Sequence, residues 1–125
     1  MKFVEGIPIY LQIIEEIKNK ILSGQYEAGQ RIPSVRDLAL EYAVNPNTMQ
    51  KALSECETQK LVYSMGPQGR FITDDRAYIQ QLKEQKIEDI VQEFLSQMQL
   101  LSISKQEVIE WITKSKERTN VTNRN

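Results

Sequence analysis

Ser34-Val35-Arg36-Asp37-Leu38-Ala39-Leu40-Glu41-Tyr42-Ala43-Val44-Asn45-Pro46-Asn47-Thr48 decides how this chain folds. Ser34 has the chemistry of a helix N-cap. Asp37 stands three residues on, the spacing of a capping box with Asp in place of the usual Glu. Val35, Leu38 and Ala39 mark the buried face of the helix that follows. It is short, because Tyr42-Ala43-Val44 breaks it before a second N-terminus, where Asn45 is a strong N-cap and Pro46 occupies N1. The helix starting there runs to about Gln59, with Met49, Ala52, Leu53 and Cys56 on one face. Two short helices with a three-residue break predict a helix-turn-helix.

The flanking segments extend that unit. Upstream, Tyr10, Ile13, Ile14, Ile17, Ile21 and Leu22 recur at spacings of three and four, one apolar stripe of a helix from Pro8 to Gly24. Pro8 suits its first turn and Gly24 its C′ position. Gln25 to Gln30 is a polar connection turning at Gly29, and Pro33 forces Arg31-Ile32 into an extended conformation. Downstream, Leu61-Val62-Tyr63 and Phe71-Ile72 are short apolar runs around Gly66-Pro67-Gln68-Gly69, a hairpin signal. Helix, helix-turn-helix and hairpin in this order make a winged helix over residues 1–73.

From Asp74-Asp75 the helical pattern resumes. Ile79, Leu82, Ile87, Ile90, Val91, Phe94, Leu95, Met98 and Leu101 form a stripe of about 25 residues. Ser104 and Glu107 give a second capping box, opening a last helix through Val108, Ile109 and Ile112. Glu117 to Asn125 is a polar tail expected to fray. One further short helix cannot cover so long a stripe, so the same surface of a second copy covers it, in an isologous two-fold dimer through Ile87, Ile90, Val91, Phe94, Leu95, Met98 and Leu101. Docking onto the first helix is the competing arrangement, and the two can share the stripe. The expected fold class is α+β, mostly α: an N-terminal winged helix-turn-helix, then a C-terminal helical dimerisation segment of two helices over residues 74–125.

Composition narrows the function. A chain of 125 residues, 40% of them AVILMFWYC, makes about one domain with a real core. The single cysteine, Cys56, cannot form an internal disulfide, and no signal-peptide pattern opens the sequence, so a cytoplasmic location is expected. No apolar run is long enough to span a membrane. There is no histidine, the usual general base and commonest metal ligand. Accordingly no catalytic residue, metal site or cofactor is expected, and the enzyme reading falls away. Sixteen Lys+Arg against seventeen Asp+Glu give a net charge of −1. Residues 1–73 carry eight basic and eight acidic side chains. A nucleic-acid binder of this composition must gather its positive charge on one face and double it by dimerising.

Several side chains have chemistry suited to such a face. Asn45-Pro46-Asn47-Thr48 reads either as ordinary capping or as the first turn of a recognition helix. In the second case Asn47, Thr48 and Gln50, then Lys51, face a major groove. Asn and Gln bond adenine N6/N7 bidentately, Thr bonds a base or a phosphate, and Lys neutralises a phosphate. Arg36, on the first turn of the preceding helix, is placed for a backbone phosphate or is simply a solvated arginine. In the hairpin, Gln68 and Arg70 have the reach for a minor groove or phosphates, while Met65-Gly66-Pro67 bring no charge. Cys56 lies on an apolar face as a small core side chain rather than a reactive thiol. Trp111, near Val108 and Ile112, is a core or interface anchor rather than part of a ligand pocket.

Ile7-Pro8-Ile9-Tyr10-Leu11-Gln12, Ile21-Leu22-Ser23-Gly24, Gly29-Gln30-Arg31-Ile32-Pro33-Ser34-Val35-Arg36-Asp37-Leu38-Ala39 and Val44-Asn45-Pro46-Asn47-Thr48 together resemble the N-terminal domain of GntR-family bacterial transcription regulators. Pro33-Ser34-Val35-Arg36 with Val44-Asn45-Pro46-Asn47-Thr48, and a tail of only about 50 residues, resembles the YtrA-like subfamily in particular, which implies a tail made of a pair of dimerising helices. The resemblance implies that Arg36, Asn45, Asn47, Thr48, Gln50 and Gly69 occupy positions used for operator contact. Ala43 and Lys60 stand where the family usually has glycine, which costs about 1 kcal/mol if the left-handed geometry is kept. Met65-Gly66 replaces basic wing residues, and Gln50 an arginine common in other branches, so sequence preference is expected to rest mostly on the helix. The function implied is a dimeric repressor binding double-stranded operator DNA as a short inverted repeat. A small-molecule effector is compatible with this and is not identified by it. The competing reading, which the balanced charge permits, is a winged-helix protein–protein interaction module.

Overall fold

The first apolar stripe forms α1 (Ile9–Leu22), which buries Ile13, Ile14, Ile17, Ile21 and Leu22. Pro8 sits one position earlier than expected, as the N-cap, and Gly24 takes the C′ position with φ +86°. Before the helix, the Gln12 side chain accepts from Val4 N–H and donates to the Val4 and Ile7 carbonyls, pinning the N-terminal arm. The computed structural model describes residues 1–115, so the polar tail from Glu117 lies outside the described residues.

The helix-turn-helix forms as its caps require. α2 (Val35–Tyr42) begins at Ser34, whose Oγ accepts from Asp37 N–H at 3.1 Å. α3 (Pro46–Thr58) begins at Asn45, whose Oδ1 accepts from Asn47 N–H at 2.7 Å. Between them Ala43 adopts φ 57°, ψ 47°, and Lys60 after α3 has φ 61°, so both keep the left-handed geometry that glycine would hold without strain. Local backbone bonds hold them there. Val44 N–H returns to the Ala39 carbonyl and Leu61 N–H to that of Cys56, which closes each helix end.

The hairpin is offset by one residue from the sequence reading: β1 (Val62–Ser64) pairs antiparallel with β2 (Arg70–Ile72). Leu61 precedes the strand, fully buried. The connection is a single 3₁₀ turn, Gly66–Gln68. The extended segment before Pro33 lies along β2 as a third edge: Ile72 N–H donates to the Gln30 carbonyl and Ile32 N–H to the Arg70 carbonyl. Val62 and Ile72 face the core, while Tyr63 and Phe71 stack on the opposite face at 5.8 Å.

α4 (Arg76–Leu100) starts behind Thr73 and Asp75, whose side chains accept from Asp75 N–H and Tyr78 N–H. Its first turns belong to the winged helix. Tyr78, Ile79 and Leu82 pack on the core, and the Tyr78 hydroxyl donates to the Gln59 carbonyl at 2.7 Å. The first compact unit therefore runs to Lys83 and the second begins at Glu84, ten residues beyond the division at 73/74 drawn from the hairpin. Ile79 and Leu82, read from spacing as part of the long stripe, are partly buried against the core of the first unit instead.

In the second unit, α5 (Lys105–Lys114) has its full capping box, with Ser104 Oγ accepting from Glu107 N–H and Glu107 Oε1 accepting from Ser104 N–H. Only Val108 is buried among its described residues. Trp111 is exposed, so within this chain it is not a core anchor.

Candidate nucleic-acid interface

α3 turns Met49, Ala52, Leu53 and Cys56 into the core, so its helical period puts Asn47, Gln50, Lys51 and Ser54 on solvent. Asn45 is committed to its cap, which fixes where the helix starts and therefore where Asn47 points. The Asn47 side chain has no partner among the described residues. Thr48 is half-buried beside it. Gln50 Nε2 donates to Ser54 Oγ at 3.0 Å, which orients the amide along the exposed face. Lys51 sits on the flank toward α1, with its ammonium 4.0 Å from the centre of the Tyr10 ring. Ser54 was missed in the sequence, although it lies one turn beyond Gln50 and the period alone would have found it.

The wing is tied to the end of this helix. Arg70 Nε donates to Glu57 Oε2 at 2.6 Å, and Ser64 Oγ donates to the same oxygen at 2.6 Å. The Ser64 hydroxyl and then the Arg70 guanidinium hold the Glu57 carboxyl below the usual range. With its side chain only 18% exposed, Arg70 fastens β2 to α3 and is engaged before any phosphate arrives. Gln68 and Gly69 follow at the tip and base of the 3₁₀ turn. Gly69 has φ +101°, and a Cβ there would come 3.2 Å from Arg31 Nε, so side-chain-free backbone lets that guanidinium lie against the wing.

A cleft of about 380 Å³ opens between the wing and the start of α2. Arg31, Arg36 and Arg70 line it together with Ser34, Gly66 and Gly69, and no carboxylate does. A chain with net charge −1 thus brings three arginines to the lining of one concavity, Arg70 already paired with Glu57. Arg31 was not singled out in the sequence, where only its extended conformation was legible. Its place depends on pairing with β2 across a long separation, through a bridge to Phe71.

Burial pushes the Cys56 thiol up to about 12, so it offers no thiolate near neutral pH. Among the described residues no group of His, Cys, Asp and Glu side chains could hold a metal ion, and no helix is long and apolar enough to cross a membrane.

In the second unit, Ile87, Ile90, Val91, Phe94 and Leu101 are exposed, and Leu95 and Met98 are partly covered. Ile87, Val91, Phe94, Met98 and Leu101 follow the alternating four-and-three spacing of a coiled-coil seam.

The model of the gntR family of bacterial regulatory proteins matches residues 9–72. Among curated relatives, the HTH-type transcriptional regulator YhcF of Bacillus subtilis (strain 168) is 34% identical, over 89% of this chain and 92% of the relative. The HTH-type transcriptional repressor YtrA of the same organism is 29% identical, over 84% and 82%. A GntR family transcriptional regulator from Listeria monocytogenes superposes with a TM-score of 0.85 at 37% identity, covering 91% of this chain and all (100%) of that one. The DNA-binding domain of AraR in complex with operator ORR3 superposes with a TM-score of 0.53 at 30% identity, covering 58% of this chain and 88% of that chain.

Proposed function

Because the chain belongs to the GntR family of bacterial regulatory proteins, we propose that it is a homodimeric transcription repressor that reads a short inverted repeat in double-stranded DNA. One observation carries the reading: the capped first turn of α3 presents an unpartnered, exposed Asn47 side chain in the same compact unit as a cleft lined by Arg31, Arg36 and Arg70 without a carboxylate. The helix supplies donors and acceptors for base edges, and the cleft supplies cations for the backbone. The operator complex of the AraR domain supports the same use of the fold. The relatives are named as transcriptional regulators rather than enzymes.

Residue roles follow. Asn47, Thr48 and Gln50 read bases from α3, and Asn45 positions them. Arg36 and Lys51 neutralise phosphates, and Gln68, Gly69 and Arg70 form the wing's side of the contact, Arg70 by holding β2 on α3 through Glu57. Exposed apolar groups at heptad spacing support pairing of two copies through Ile87, Ile90, Val91, Phe94, Leu95, Met98 and Leu101. Two-fold symmetry in the protein then requires two-fold symmetry in the site it reads.

The test titrates the protein against the DNA upstream of its own gene and against an unrelated duplex, at two salt concentrations. Specific binding is expected to exceed non-specific binding by a factor of about 10³ or more. Asn47→Ala should lose ~1–3 kcal/mol on the specific duplex alone, and Arg36→Ala should weaken both and flatten the salt dependence by about one unit of slope. Absence of binding to either duplex would favour the protein-interaction module.

A further inference from the structure

Resting on the DNA-binding reading, we propose that Arg31, which lies outside the helix-turn-helix and the wing in sequence, is the wing's working cation and that it seats a backbone phosphate in the cleft between the wing and α2. Three independent observations converge. First, the arginine that the wing itself carries is occupied: Arg70 Nε is 2.6 Å from Glu57 Oε2 and its side chain is mostly covered. Second, the wing tip, Met65-Gly66-Pro67, has no charge of its own. Third, Arg31 is exposed, has no hydrogen bond or ion pair among the described residues, and lays its guanidinium against Gly69, whose hydrogen leaves it room.

The backbone of Arg31 is fixed while its side chain is free. Ile32 N–H donates to the Arg70 carbonyl and Ile72 N–H to the Gln30 carbonyl, so the residue between them is held on the edge of β2 by the sheet. Arg31 lines the cleft together with Arg36 from the first turn of α2, and it also borders a second concavity lined by Lys20, Asp37 and Glu41. Arg31 and Arg36, lining one cleft whose lining includes no carboxylate, form an electrostatic cradle for one tetrahedral anion. A phosphate seated there would contact the sheet edge and the helix together and so fix how deeply the wing rides on the duplex.

The experiment measures binding of a fluorescent mixed-sequence duplex by wild type, Arg31→Met, Arg31→Lys and Lys83→Met between about 50 and 200 mM KCl. Methionine keeps an apolar stem against Gly69 and removes only the charge. Lys83, in the first turns of α4, is a cation of the same unit outside the cleft. Arg31→Met should lower the slope of log K against log salt by ~0.9 for each phosphate lost, ~1.8 for a dimer. Arg31→Lys should retain most of the slope, and Lys83→Met all of it. A wild-type slope in Arg31→Met, or an equal loss in Lys83→Met, would overturn the proposal. If Arg31→Met melts early, Arg31→Gln supplies the same comparison. Failure of the wild type to bind any duplex would overturn the DNA reading itself, an outcome distinct from an unchanged slope.

Discussion

The two units treat their apolar residues in opposite ways. In the winged helix, Ile13, Met49, Leu53, Leu61 and Ile72 are fully buried within the chain. From Glu84 onward, Phe94 is 38% exposed, Trp111 65% and Leu101 68%, and Val108 is the only buried side chain among the described residues. The first unit has three helices and a sheet edge to close a core around. The second carries an exposed apolar stripe that its described residues leave uncovered, the kind of face that association would bury. One sequence thus contains a unit that buries its large apolar side chains within the chain and a unit that leaves most of them exposed.

The largest effect should come from charging the seam. Phe94→Asp with Leu95→Asp places two carboxylates where a second copy would bury them, each costing several kcal/mol. Sedimentation is expected to show a dimer for the wild type at ~10 µM and a monomer for the variant. A wild-type monomer would erase the contrast. The next largest should be Leu53→Ala, which opens a cavity in the first unit and costs about 2–5 kcal/mol. Thermal melts should show that loss at every protein concentration, whereas the seam variant should abolish the concentration dependence of Tm.

A smaller effect belongs to the clamp between wing and helix. The Glu57 carboxyl has a lowered pKa in the folded state, so its contribution is present above the unfolded carboxylate range and fades as pH falls through the folded value. With 32% of its side chain in water, Glu57→Gln should cost only about 0.5–1 kcal/mol near pH 7. Chemical denaturation at pH 7 and in acid should find variant and wild type converging in acid. Smallest of all, Ala43→Gly should relieve the left-handed strain in the turn, partly offset by glycine's unfolded entropy, for a net gain of about 0.5 kcal/mol. A loss would mean that the Ala43 methyl contributes more by packing than it costs in strain.

Legibility followed distance along the chain. Ser34, Asn45 and Ser104 were readable as caps because each bonds a backbone N–H two or three residues away, and spacings of three and four displayed the core faces of α1 and α3. The left-handed turns at Ala43 and Lys60 were readable through the family resemblance, and the positive φ values agree. Ser54 was within reach of the same periodicity and was passed over.

Pairing between distant segments was not readable. Ile79 and Leu82 look like the start of the same stripe as Ile87 and Phe94, and only the surface left open by the other helices separates core from seam. Arg70 and Arg31 are equally basic on paper. Glu57, thirteen residues before Arg70, takes one of them, while the edge of β2 holds the other free against Gly69. By itself the sequence determined where helices begin and end and which of their faces are apolar, because those depend on hydrogen bonds and periods closed within a few residues. Which cation is spent on the fold and which remains for a partner was decided only by the tertiary structure, because a charge is neutralised by whatever the fold brings within about 3 Å of it, however distant along the chain.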